Sequence, residues 1–71
     1  MGKFKYGSIV RLNKDACLPN NTITILENTD FIYLGDIVQI PDHCILINMS
    51  TNEILTGYHT DNFRLATEDE I

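Results

Sequence analysis

Tryptophan is absent from this 71-residue chain, alanine is scarce, and there are only two cysteines and two prolines. Each shortage excludes something. Two cysteines cannot build the multi-bridge framework of a small secreted domain, and they lack the paired short Cys spacing of a zinc finger. No apolar run approaches the roughly 18 residues of a membrane-spanning helix. The opening Met1-Gly2-Lys3-Phe4-Lys5 has charge without a hydrophobic stretch behind it, so no secretory leader is expected. It also lacks the Ser or Thr of a myristoylation signal. The four glycines form no phosphate-cradling loop. These shortages lead to the expectation of a cytoplasmic protein with reduced thiols, no metal and no cofactor.

Basic residues are also few, and they are unevenly placed. Residues 1–14 hold Lys3, Lys5, Arg11 and Lys14 and no acid, whereas the rest carries all ten acids against Arg64. The formal net charge is −5. A phosphate-tracking surface needs clustered Lys and Arg, because counterion release supplies much of the affinity. The acidic remainder repels nucleic acid and anionic membranes and attracts a basic partner.

What the chain does have is β-branched bulk. Ten residues are isoleucine, with Val and Thr besides, and these stiff side chains suit a pleated surface. Seven asparagines supply turns. The length allows one domain over residues 1–71, with a small core.

Alternation and punctuation predict an all-β order. Residues 8–12 read as a first strand with Val10 and Leu12 on one face. Residues 13–21 are loop chemistry, and Thr22 to Leu26 is β-rich again within a long excursion. Phe31-Ile32-Tyr33-Leu34 leads through Gly35-Asp36 into Ile37-Val38-Gln39-Ile40, with Val38 and Ile40 expected to point inward. Pro41-Asp42-His43 is a short turn, and residues 44–49 form a strand apolar at nearly every position. Residues 50–53 make a tight hairpin turn and residues 54–58 return. Residues 59–62 suit a single helical turn, residues 63–66 close the sheet, and residues 67–71 are an acidic tail.

That order resembles a Src-homology-3-like barrel of five to six strands over about residues 8–66. Gly35-Asp36-Ile37-Val38-Gln39-Ile40 looks like the strand that follows the long loop in that fold. Ser50-Thr51-Asn52-Glu53 sits where its distal hairpin belongs, and Gly57-Tyr58-His59-Thr60-Asp61-Asn62-Phe63 is similar to its Gly-apolar-x-Pro-Ser-Asn-Tyr segment. The resemblance implies a binding module, but not an ordinary polyproline reader. There is no Trp, His43-Cys44 stands where the groove tryptophan would fall, and Thr60 replaces the groove proline. Small bacterial and phage proteins use similar barrels for other contacts, so the resemblance implies an accessory protein that docks on and modulates a larger host protein, in the cytoplasm, the host's if phage-encoded.

The resulting expectation is a non-enzymatic protein-interaction module. Tyr33 and Tyr58 are the surface aromatics of choice, since a phenol keeps a polar handle at an interface. His43, Asn62 and Phe63 border them in the short turn and the 58–63 segment, and the loop acids Glu27 and Asp30, with Asp15, would draw in a basic partner. Cys44 reads as a small core residue. The alternative is a nucleic-acid-binding barrel in which Lys3, Lys5, Arg11 and Lys14 hold phosphates while Phe4 and Tyr6 stack on bases. Self-association through an unpaired edge strand is the third reading.

Overall fold

The computed structural model describes residues 4–70. Lys3, one cation of the nucleic-acid reading, lies outside them. Five antiparallel strands form one sheet: β1 (Ile9–Leu12), β2 (Phe31–Asp36), β3 (His43–Asn48), β4 (Ile54–His59) and β5 (Phe63–Leu65), in the spatial order β4-β3-β2-β1-β5. A short helix α1 (Asn20–Leu26) lies in the long β1–β2 connection. A 3-10 turn at Thr60–Asn62 separates β4 from β5, and another at Glu68–Glu70 follows β5. The all-β class, the strand number and the helical turn agree with the sequence reading.

Alternation places the core on one face. Val10 and Leu12 from β1, Phe31 and Tyr33 from β2, Cys44 and Leu46 from β3, and Phe63 from β5 are buried together, with Leu26 of α1 covering them. Phe31 and Phe63 meet edge to face at 5.8 Å. Tyr58 packs edge-on against Phe63 from the other side at 6.3 Å.

Two segments differ from the sequence reading. The β-rich stretch Thr22 to Leu26 is the body of helix α1. β1 is already flanked by β2 and β5, and β2 by β1 and β3, so no neighbouring edge was open to pair with it. As a helix, it puts Ile23 and Leu26, three residues apart, against the core and leaves Ile25 73% exposed. Tertiary context overrides the β propensity here.

The second correction concerns residues 37–40, which are a loop and not the continuation of a strand. Val38 is 97% exposed and Ile40 45%, so neither points inward. The cause is Gly35, whose φ of +134° sits at a register shift between Tyr33 and the residues that follow. The ladder to β3 ends at Asp36 opposite Cys44, and the Ile37 amide then donates to the His43 carbonyl at 2.8 Å, closing the loop. Gly35-Asp36 ends a strand that began at Phe31.

Candidate functional site

The sequence-derived site residues do not form one exposed patch. The Tyr33 ring is 2% exposed and lies in the core, which corrects its assignment as a surface aromatic. Phe63 is fully buried. Asn62 is buried as well, and its roles are structural: its side-chain oxygen accepts from the Cys17 amide at 3.0 Å and its carbonyl accepts from the Asn13 amide at 2.6 Å. Tyr58 is half-buried against Phe63. His43 pairs across the strands with His59, ring centroids 5.2 Å apart, and its Nδ1 lies 2.8 Å from the Pro41 carbonyl. Asp30 accepts from Arg11 Nε at 2.7 Å, so its charge is met within the chain. Glu27 is exposed but lines a recess with cations, not with tyrosines.

That recess, of ≈ 340 Å³, lies at the C-terminal end of β1 among Arg11, Leu12, Asn13, Lys14, Glu27, Asn28 and Arg64. Its arginines are occupied. Arg64 grips Glu70 with two hydrogen bonds of 2.8 Å, and Arg11 reaches the Glu70 carbonyl at 3.4 Å. The Arg64 fork, helped by the Thr67 amide, lowers the Glu70 carboxyl from its ordinary value of 4.5 to about 2. The same hydrogen bonds raise Arg64.

A larger recess of ≈ 550 Å³ opens at the other end of β1. Phe4 stands edge-on to Tyr33, centroids 5.5 Å apart. Tyr6 flanks it and is 78% exposed. The opposite wall is the 37–42 loop, with Ile37, Val38, Pro41 and Asp42. Both walls are anchored. The Gly7 amide donates to the Tyr33 carbonyl at 2.8 Å, and the Thr60 amide donates to the Asp42 carbonyl at 2.7 Å. Asp42 itself takes a left-handed φ of 63°, an uncommon conformation for a non-glycine residue that Asp tolerates at turns.

The floor carries the polar chemistry. The Tyr33 hydroxyl donates to Asp36 Oδ1 at 2.5 Å. Burial, then this bond and the Asp36 charge, push the Tyr33 phenol far above its ordinary value of 10.0, so it stays a neutral donor. Asp36 and Asp42 both line the recess, and among the described residues no Lys or Arg does. Asp42's carboxylate makes no hydrogen bond or ion pair among the described residues. The arrangement offers two carboxylates beside an exposed phenol ring and apolar walls. Such a surface accepts a cation on an aliphatic stem.

Sequence reasoning named the 41–43 turn as a contact segment and Tyr6 as a stacking residue for nucleic acid, but missed Val38 and Asp36, and missed that these residues share one recess. Tyr6 carried a usable signal, since it precedes the first strand beside a glycine and has no alternating partner. The loop residues carried none, because Val38 and Ile40 match a strand pattern. Among the described residues no three His, Cys, Asp or Glu side chains stand close enough to hold a metal. Cys17 is exposed and Cys44 buried, as read for Cys44, and burial pushes the Cys44 thiol up. No described helix is long and apolar enough to cross a membrane. Comparison of the chain with protein-family models, curated proteins and solved structures finds no match.

Proposed function

We propose that the chain is a non-enzymatic protein-interaction module, a divergent Src-homology-3-like barrel of bacterial or phage accessory type. Its contact surface is the recess between residues 4–6 and the 37–42 loop. The carrying observation is the pairing of exposed Tyr6 and Val38 with Asp36 and Asp42 in a recess lined, among the described residues, by no Lys or Arg. The occupant is a basic segment of a protein partner, with an Arg or Lys side chain between the carboxylates and its stem along Val38 and Pro41. A cation over the Tyr6 ring contributes about 0.5–1 kcal/mol at an exposed site. The strand order and the helical turn between β4 and β5 support the barrel reading. The nucleic-acid reading has less behind it, because Arg11, one of its cations, is already paired with Asp30.

The test is a nuclear magnetic resonance titration with short Arg- or Lys-bearing peptides and with the same peptides carrying Glu instead. The expected result is shift changes confined to residues 4–7 and 33–42, seen with the basic peptides alone. Changes centred on Tyr58 and His43, or equal response to the acidic peptides, would reject the surface.

A further inference from the structure

One row across the outer face of the sheet is apolar from strand to strand. The register places Ile9 opposite Ile32, Ile32 opposite Ile47, and Ile47 opposite Ile54, so one row of isoleucines crosses four strands. An antiparallel sheet with one face in water ordinarily shows polar residues there. The row does not end under cover. Ile54 lies on β4, which has a neighbour on one side only, and it is 65% exposed.

β4 is an unusual edge. Natural edges are blunted by Lys, Pro or inward charges. β4 reads Ile-Leu-Thr-Gly-Tyr-His and carries no Pro, Lys, Arg, Asp or Glu. Its free backbone groups can be assigned. The Asn48 amide donates to the Glu53 carbonyl at 2.9 Å, which makes that pair a hydrogen-bonded one. Antiparallel pairs alternate, so Ile47–Ile54 and Ile45–Thr56 are non-bonded pairs. The N–H and C=O groups of Ile54 and Thr56 therefore point away from β3, to the open side.

We propose that β4 is a self-pairing edge that joins two copies of this chain antiparallel about a two-fold axis at Leu55. Ile54 of each copy then exchanges two backbone hydrogen bonds with Thr56 of the other, and the two Leu55 residues face each other. Ile54 of one copy meets Thr56 of the other, whose own partner on β3 is Ile45, so β-branched side chains meet across the new seam. Charge selects a second copy here. The chain is acidic, with a formal net charge of −5. Like-charged copies repel across most of their surfaces, and an edge strand free of acids is where they can approach. An isologous contact needs a self-complementary strand, and the Ile54/Thr56 alternation about Leu55 supplies one.

Gly57 limits the contact. Its φ of +86° accompanies the register shift after Thr56, which turns the rest of β4 out of line. A seam this short falls at the small end of specific interfaces, below about 1,200 Å² in total, and gives a weak, concentration-dependent dimer.

Sedimentation equilibrium of the whole chain over roughly 10 μM to 1 mM, where so small an interface dissociates, is the test. The mass is expected to rise towards twice that of the monomer. Thr56→Pro removes an outward amide and no intramolecular bond, and Ile54→Lys puts like charges close together across the seam. Each is expected to weaken self-association at least about tenfold while far-ultraviolet circular dichroism is unchanged. Should either variant misfold, intermolecular nuclear Overhauser contacts between labelled and unlabelled wild-type chains replace it, expected between Ile54 and Thr56. A monomeric mass throughout, a dimer indifferent to both folded variants, or intermolecular contacts elsewhere would overturn the proposal.

Discussion

The two ends of β1 open onto recesses of opposite character. At the C-terminal end, Arg11 and Arg64 face Asp30 and Glu70 and are held by them at 2.7–2.8 Å. At the N-terminal end, Asp36 and Asp42 meet no cation among the described lining residues, and the Asp36 carboxylate accepts from a phenol. Charge count alone would rank the cationic recess as the interaction site of an acidic protein. Pairing reverses that order. A charge that the fold already answers holds the tail to the sheet, and a charge the fold leaves open is available to something else.

The largest test of this contrast asks whether the aromatic residues near β5 belong to the core or to a contact surface. Phe63→Ala removes a fully buried ring that touches Phe31 and Tyr58. It is expected to cost about 3–5 kcal/mol in urea unfolding, most of the stability of a domain this small. Tyr6→Ala, on an exposed ring, is expected to stay within about 0.5 kcal/mol. Equal losses would erase the distinction between core and contact aromatics.

The next effect is on binding. Asp36→Asn with Asp42→Asn is expected to weaken capture of a basic peptide at least about tenfold, the loss of roughly 1.4 kcal/mol. Arg11→Gln is expected to leave that capture unchanged, because its guanidinium lies at the other recess. A smaller effect separates the two roles of Asp36. Tyr33→Phe deletes the 2.5 Å hydrogen bond to its carboxylate and is expected to cost about 1–2 kcal/mol of stability. The ring stays in the core, so thermal unfolding should show a lower midpoint with unchanged cooperativity.

The same contrast explains what was legible in the sequence. Burial patterns were readable in β1 and β3: Val10 and Leu12 alternate inward, and Cys44 and Leu46 do so within an almost wholly apolar run. The helical turn was readable because Thr60-Asp61-Asn62 is turn chemistry between two strands. The fate of Thr22 to Leu26 was not, since Thr-Ile-Thr-Ile carries a strand period and only the occupied edges of β1 and β2 deny it a partner. Residues 37–40 failed for a related reason. Their period is that of a strand, but one glycine at φ +134° turns the chain before they can pair. The site suffered most, because it is assembled from that misread loop and from a segment upstream of β1. Tyr33 illustrates the trap: a phenol marks an interface residue only when its side chain is outside, and here it is buried with its hydroxyl bonded to Asp36.

The smallest effect sits at the paired recess and is a matter of pH. Glu70 is held at about 2 by the Arg64 fork, against an ordinary value of 4.5. A carboxyl depressed in the folded chain stabilises it fully above the ordinary value, and that contribution fades as pH falls from 4.5 towards about 2. Both groups are partly exposed, so the effect on global unfolding is small and screened by salt. It should instead appear locally. A carbon-detected titration is expected to show the Glu70 carboxyl protonating well below the ordinary value of 4.5, with the amides of residues 67–70 shifting in the same window. Arg64→Lys replaces the fork with a single point charge and should move that midpoint upward while the residues around Asp36 and Asp42 stay unchanged. A Glu70 midpoint at the ordinary carboxylate value in the unsubstituted chain would mean the tail is not clamped in solution. Arg64 would then be free to bind, and the contrast between the two ends of β1 would lose its basis.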